Sequence, residues 1–194
     1  MSYISDSDDE NATVNSASNS IDTVTTGSCF APGSMVLMAA GLSLMPIENL
    51  QRGDIVYTTS GDATVEYVIE MDIKAKGRPM CKLGTLWITP GHPVYINNRW
   101  RYAQEISPPL ERMESKVYNL ILDQGHVINV SGNNSCTLGH GLKGAVIEHP
   151  YFGNKAAIIN DLKSLPGFDV GRPVFTNHKY IKKDGVICGW YNQN

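Results

Sequence analysis

From Cys29 onward, short apolar runs alternate with turn residues along the chain. Runs in which apolar and polar side chains alternate are typical of half-buried strands. This pattern predicts strands at residues 35–38, 55–59, 63–72, 82–88, 94–96 and 100–103, with one short helical turn at 44–50. Strands this short and this frequent favour a mainly β domain over repeated βαβ units.

The second half of the chain continues this pattern and then departs from it. Residues 117–122 and 126–130 are predicted to pair as a hairpin around a turn of Asp, Gln and Gly. Residues 155–165 have the spacing of an amphipathic helix, and a Pro-Gly pair follows them. Residues 180–181 and 186–191 flank a second hairpin turn. We therefore expect a small helix and a hairpin as a C-terminal extension.

Composition changes sharply at Cys29. Of the 19 acidic residues in the chain, five lie in residues 1–28, which hold none of the 16 bases; the remainder therefore has 14 acids and a net charge of +2. A polar, acidic segment cannot offset its ordering entropy, so 1–28 is predicted to be disordered. We expect a core at 29–141 and an extension at 142–194 that packs on it. The near-neutral folded part favours neither nucleic acid nor a membrane as a partner.

The spacing of the cysteines and the absence of a long apolar run indicate in which cellular compartment the protein is expected. The sequence shows no signal peptide and no membrane-spanning stretch, and its four cysteines form no CxxC pair. We accordingly expect a cytoplasmic monomer with mostly reduced thiols. An exported protein is the alternative if these residues are a fragment of a longer precursor.

Cys29 itself is the first candidate for chemistry. A thiol at the start of a folded domain can reach the carbonyl of its own upstream peptide bond. Because free Cys has a pKa of about 8.5, this attack needs a nearby base, and the departing amide nitrogen needs a proton. Thr89 and His92 lie three residues apart in one turn, so Thr89 can bond the scissile amide while His92 moves the proton. The alternative is a turn whose His merely packs.

Several motifs occur in a fixed order along the chain. They are Cys29-Phe30-Ala31-Pro32-Gly33, Leu50-Gln51-Arg52-Gly53-Asp54, Thr89-Pro90-Gly91-His92, Val117-Tyr118-Asn119-Leu120 and Ser135-Cys136-Thr137-Leu138-Gly139-His140. From Cys29 to about Phe168, this set resembles the Hint domain shared by hedgehog autoprocessing domains and inteins. It is most similar to the Vint subgroup, found in proteins that also carry von Willebrand factor A modules.

The resemblance implies a horseshoe of short strands with pseudo-twofold symmetry. It implies that Cys29 attacks the Ser28 carbonyl and forms a thioester, with Thr89 and His92 as its helpers. His126 matches the histidine that, in the family, follows the motif beginning Val117-Tyr118-Asn119-Leu120. The strand 65–72 matches one that carries an acidic residue for a second step in hedgehog-like members. Glu70 is the first candidate and Asp72 the second, unless both are simply solvated strand charges.

Cys136 and Thr137 occupy the places of the His-Asn pair with which splicing inteins end this motif. Without that Asn, we expect cleavage by water or an external nucleophile rather than splicing. Cys136 either exchanges with the thioester, pairs with Cys29 in a disulfide, or is an ordinary buried thiol. The spacing of His140 and His149 matches no zinc pattern, so neither a metal nor another cofactor is expected.

Two functions remain open at this point. The first is a single-turnover, cysteine-dependent self-cleaving domain. Its substrate is its own N-terminal segment, its co-substrate is water or a small nucleophile, and von Willebrand factor A-type modules are possible partners in a longer precursor. The second is a degenerate Hint-fold interaction module. A papain-like protease acting in trans requires a helix after Cys29, where the sequence predicts a strand.

Overall fold

The computed structural model describes residues 27–39, 43–72, 78–112 and 114–192. The predicted disordered segment 1–28 lies outside these residues, apart from Gly27 and Ser28. The strands are β1 (Met35–Leu37), β2 (Leu44–Pro46), β3 (Ile55–Thr58), β4 (Gly61–Asp72), β5 (Arg78–Leu83), β6 (Leu86–Ile88), β7 (Pro93–Ile96), β8 (Arg99–Tyr102), β9 (Leu110–Arg112), β10 (Lys116–Leu122), β11 (Val127–Val130), β12 (Asn133–Cys136), β13 (Val174–Phe175), β14 (His178–Lys183) and β15 (Val186–Asn192). The helix α1 spans Lys155–Leu162.

The strands form one large and two small sheets. The large sheet runs β10-β4-β3-β11-β12-β7-β8, with β1 and β2 attached beside β11 and β13 running parallel to β4. The small sheets are β6-β5-β9 and the hairpin β14-β15. Phe30 bridges Tyr118 of β10 and Ile88 of β6. The residues around Cys29 therefore join the large sheet to a small one.

Strand β10 separates two hydrophobic clusters. Its residues from Val117 to Leu122 are all buried, because successive side chains point to opposite faces and both faces are covered. Tyr118, Leu120 and Leu122 face the first cluster, whereas Val117 and Ile121 face the second. This double burial explains why the strand lacks an exposed polar face.

The C-terminal part of the chain builds much of the second cluster. Its contributions are Tyr151, Phe152, Ile158, Leu162, Leu165, Phe175, Ile187 and Trp190, which pack with Cys29 and Met71. Helix α1 begins after Asn154, whose side chain accepts a hydrogen bond from the Ala157 amide at 3.1 Å. It buries Ile158 and Leu162, one turn apart. The region after residue 141 thus packs in the same hydrophobic cluster as Cys29.

The structure confirms the mainly β class and several predicted elements, including β4 and the β14-β15 hairpin. Four local predictions differ from the structure. The run 82–88 is not one strand but the hairpin of β5 and β6, because Gly84 takes a positive φ of 62° and turns the chain. The predicted pairing of 117–122 with 126–130 does not occur, since β10 pairs with β4 and β11 with β12. The helix ends at Leu162 rather than 165.

Residues 44–50, predicted as one helical turn, divide into β2 and a 3-10 turn at Ile47–Asn49. Among the described residues, no helix has both the length and the apolar character needed to cross a membrane.

Candidate active site

The Ser28–Cys29 peptide bond is buried between β10 and β6. Backbone hydrogen bonds link Phe30 reciprocally to Tyr118, both at 2.8 Å, and the Ala31 amide donates to Trp87 at 3.0 Å. The Cys29 side chain has no solvent-exposed surface. The bond is therefore held in place by strand pairing on both sides of the chain.

Thr89 contacts the backbone on both sides of Ser28. Its hydroxyl accepts a hydrogen bond from the Cys29 amide at 2.9 Å and donates one to the Gly27 carbonyl at 2.6 Å. The Thr89 amide in turn donates to the Cys29 carbonyl at 3.0 Å. The structure thus places the Thr89 hydroxyl on the amide nitrogen of the Ser28–Cys29 bond.

His92 lies one turn further on and is completely buried. Its amide donates to the Thr89 carbonyl at 3.0 Å, which fixes the two residues on one turn. Because Nε2 lies 2.9 Å from the Cys136 carbonyl, which only accepts, Nε2 carries the proton. The other ring nitrogen, Nδ1, is therefore unprotonated. Among the described residues it has no hydrogen bond of ordinary geometry, although the Cys29 backbone is near enough to affect the pKa of the ring.

Burial lowers the pKa of His92 to about 4, although the backbone carbonyls of Cys136 and Cys29 oppose this shift. The imidazole is therefore neutral at pH 7, with a free lone pair on Nδ1. A neutral imidazole of this kind is a proton acceptor, and its protonated form is a strong proton donor.

Asn119 is a site residue that the sequence analysis missed. Its Nδ2 donates to the Ser28 carbonyl oxygen at 2.5 Å, and its Oδ1 accepts from the Leu120 amide at 2.7 Å. The signal was present in the sequence: Asn119 is the one amide side chain within the apolar run of β10. Both polar ends of the Ser28–Cys29 bond are thus bound by side chains, the oxygen by Asn119 and the nitrogen by Thr89.

The Cys29 thiol rests in an apolar environment. Its Sγ lies 3.9 Å from Sδ of Met71. Burial raises the pKa of the thiol to about 11, while the positive charge of Arg78 acts in the opposite direction. The thiol is consequently protonated at neutral pH.

Cys136 contributes to the site through its backbone. Its carbonyl sets the tautomer of His92, while burial raises the pKa of its thiol to about 12. Cys29 and Cys136 are both free thiols in this structure, as are Cys81 and Cys188.

A cavity of about 260 Å³ opens beside Ser28. Its wall includes Cys136, His140 and His149 together with apolar side chains such as Val146 and Phe152. Space of this size next to Ser28 admits water or a small molecule.

The histidines after β10 differ in their positions. His126 is half-buried, its Nδ1 lies 3.4 Å from Oγ1 of Thr137, and it is not part of the wall of this cavity. Burial lowers the pKa of His140 to about 4, and its Nδ1 accepts from the Leu142 amide at 3.0 Å. The structure therefore brings His140, rather than His126, to the cavity beside Ser28. Within the described ranges, no group of three or more His, Cys, Asp or Glu side chains is placed to bind a metal.

Glu70 lies on the other face of the sheet. Its neighbour Met71 points toward Cys29, and Glu70 points away because side chains alternate along a strand. It forms ion pairs with Lys116 and Arg172. Burial alone would raise the pKa of Glu70, but these cations hold it below its ordinary value. Asp72 pairs across the sheet with Lys116 at the end of β4.

Comparison with known sequence families shows to which family the chain belongs. The sequence model of Vint, described as a Hint-domain, matches residues 28–189. The chain belongs to the Vint family. The match extends beyond Phe168, where the resemblance in the sequence was expected to end, and reaches into the second strand of the C-terminal hairpin. This Vint domain therefore has the fold of an autoprocessing domain, as the motifs predicted.

Solved structures similar to the Vint domain include intein-type proteins. An intein-like domain from Clostridium thermocellum is 19% identical with a TM-score of 0.45, and the alignment covers 57% of this chain and 99% of that one. The gp41-1 intein is 14% identical with a TM-score of 0.41, and the coverage is again 57% and 99%. A comparison with curated proteins gives no match.

Proposed function

We propose that this Vint domain cleaves its own chain between Ser28 and Cys29. The observation that carries the proposal is the pair of side chains on one peptide bond, with Asn119 on the Ser28 oxygen at 2.5 Å and Thr89 on the Cys29 nitrogen at 2.9 Å. In an ordinary strand, the carbonyl oxygen and the amide nitrogen of a peptide bond form hydrogen bonds with backbone groups of a neighbouring strand. Side-chain donors and acceptors fixed on both ends of a bond are suited to stabilising its tetrahedral intermediate.

The first step is an acyl shift from nitrogen to sulfur. Nδ1 of His92 accepts the thiol proton, and Sγ of Cys29 bonds to the carbonyl carbon of Ser28. The negative charge that develops on the Ser28 oxygen is stabilised by the Asn119 amide. The carbon–nitrogen bond then breaks, and the protonated His92 returns the proton to the departing amine.

The second step releases residues 1–28. Water or a small external nucleophile attacks the thioester through the cavity beside Ser28, and the thiol of Cys29 is restored. Cys136 and Thr137 stand where a splicing domain needs His and Asn, so the downstream chain stays attached. The partners in this proposal are the upstream segment and that nucleophile, with von Willebrand factor A-type modules as neighbours in a longer precursor.

The reaction is expected to be slow and to occur once per molecule. The thiol pKa of about 11 lies far above the His92 pKa of about 4. Transfer of the proton from Cys29 to His92 is therefore uphill in the resting arrangement. This difference between the two pKa values favours the alternative function. In that function the domain has the Hint fold but no catalytic activity, and it serves as an interaction module.

Intact mass of the full chain separates the two functions. The chain is incubated with and without dithiothreitol or hydroxylamine, and we expect loss of residues 1–28, with Ser28 as a carboxylate in water or as a hydroxamate in hydroxylamine. Cys29→Ala should abolish the loss, whereas Cys81→Ala, which removes another buried thiol, should preserve it. A chain whose mass stays unchanged with and without dithiothreitol or hydroxylamine would contradict the proposal.

A further inference from the structure

Gly27 lies against a tyrosine of the C-terminal hairpin. A Cβ atom added to Gly27 would overlap the hydroxyl of Tyr180, and it would lie 2.8 Å from Cζ of that ring and 3.5 Å from Nη2 of Arg78. Carbon atoms in contact normally lie about 3.5–4.0 Å apart. Any side chain at this position therefore requires Tyr180 to move.

Tyr180 is held in this position from several directions. Its ring lies parallel to that of Trp190 at 6.3 Å and meets Phe152 edge-on at 6.1 Å. Tyr180 and Trp190 are also paired across β14 and β15. Burial raises the pKa of the Tyr180 hydroxyl, and the positive charge of Arg78 beside it opposes that shift. Displacement of the ring would disturb the aromatic packing of the second cluster.

The position of Gly27 matters because it is coupled to the scissile bond. The hydroxyl that accepts from the Cys29 amide is the same Thr89 hydroxyl that donates to the Gly27 carbonyl. A shift of Gly27 therefore shifts the Thr89 contact with the amide nitrogen. Since a displacement of 1 Å can cost about 10²-fold in rate, a side chain at residue 27 acts on the reaction two residues away.

We propose that Tyr180 and Arg78 form a recognition site for the residue directly before Ser28, and that this site accepts glycine and excludes residues with a side chain. Tyr180 is the specificity-determining residue, and Arg78 positions it. The inference rests on the proposed self-cleavage and deepens it. The C-terminal hairpin then selects the upstream segment, in addition to covering the second hydrophobic cluster.

A rate ratio tests this selection. The cleavage rate in hydroxylamine is measured for Gly27 and Gly27→Ala chains, each with Tyr180 and with Tyr180→Leu. We expect a ratio of about 10² in favour of Gly27 when Tyr180 is present, since a small misplacement has this effect. With Tyr180→Leu the ratio should fall to near one. Tyr191→Leu, an exposed tyrosine on the same hairpin, is the matched control and should leave the ratio at its original value.

A second measurement does not depend on cleavage. In the Cys29→Ala background, hydrogen exchange at the amide of residue 29 reports its bond to Thr89. Gly27→Ala should speed this exchange when Tyr180 is present, and Tyr180→Leu should remove the difference. If the unaltered chain never cleaves but this exchange pattern holds, the proposed function fails and the recognition site stands. Equal exchange for Gly27 and Gly27→Ala with Tyr180 present overturns the recognition site, as do equal cleavage rates.

Discussion

The side-chain amide of Asn119 donates its hydrogen bond to the carbonyl oxygen of Ser28 at 2.5 Å. Asn119 is fully buried in the centre of β10. Its orientation is fixed because its own oxygen accepts from the Leu120 amide. The donor is therefore held in a fixed position against the Ser28 oxygen, as the proposed reaction requires.

Asn119→Ala should slow thioester formation by about 10²–10³-fold, the usual effect of removing one oxyanion donor. The rate is followed as hydroxylamine-dependent release of residues 1–28. Asn129→Ala, in the neighbouring part of the large sheet, serves as the control and should cleave at the original rate. An unchanged rate for a folded Asn119→Ala chain contradicts the role of this donor.

Thr89→Val keeps the shape of the side chain and removes its hydroxyl. The Cys29 amide and the Gly27 carbonyl then lose their partner in a buried site, which costs about 1–3 kcal/mol for each unsatisfied group. We expect a lower midpoint of urea unfolding together with slower cleavage. Thr89→Ser retains the hydroxyl and should recover most of both losses; equal behaviour of the two variants argues against the hydrogen bonds.

His92→Ala should reduce thioester formation by about 10²–10⁴-fold if the imidazole carries the proton. His126→Ala and His140→Ala are measured beside it in the same hydroxylamine assay. Because only His92 lies on the Thr89 turn next to the Cys29 backbone, its loss should be the largest. A greater loss in either of the other variants assigns the proton transfer to that histidine.

Burial of neutral histidines makes stability depend on pH. His92 and His140 have pKa values of about 4, below the ordinary 6.5, so only the unfolded chain takes up their protons between these values. The contribution of these two neutral histidines to the free energy of unfolding is complete above pH 6.5, and it is lost as the pH falls toward 4. Each contributes a slope of at most about 1.4 kcal/mol per pH unit. His126 and His149, whose pKa values burial also lowers, act in the same direction.

Urea unfolding of the Cys29→Ala chain between pH 7 and 4.5 measures this slope. His92→Gln should flatten it, since glutamine does not titrate. A slope that is the same with and without His92 would show that its pKa is not lowered in the folded chain.

Glu70→Gln should act on stability more than on chemistry. Glu70 binds Lys116 and Arg172 on the sheet face opposite Cys29, so its charge supports the strands rather than the thiol. We expect a loss of about 1–3 kcal/mol in the free energy of unfolding, because a hydrogen-bonded charge is removed. Cleavage that falls 10²-fold in a chain of unchanged stability would instead support the acidic role that the family resemblance implies for Glu70.

Much of the strand pattern was determined by local sequence. The alternation in 63–72 and the Asp184-Gly185 turn act between residues that are neighbours in the chain, and both elements are confirmed. The division of 82–88 at Gly84 and the pairing of β10 with β4 were not predicted. The pairing depends on residues some fifty positions apart, which no local period encodes.

The sequence by itself determined which residues are capable of chemistry, because the thiol of Cys29 and the Thr89-His92 turn are visible as residue types at a fixed spacing. Only the tertiary structure decided which of them meet. It placed Asn119 on the Ser28 oxygen, turned Glu70 away from the thiol and set Tyr180 against Gly27. Strand register fixes the face on which each side chain lies, and register follows from packing across the whole sheet.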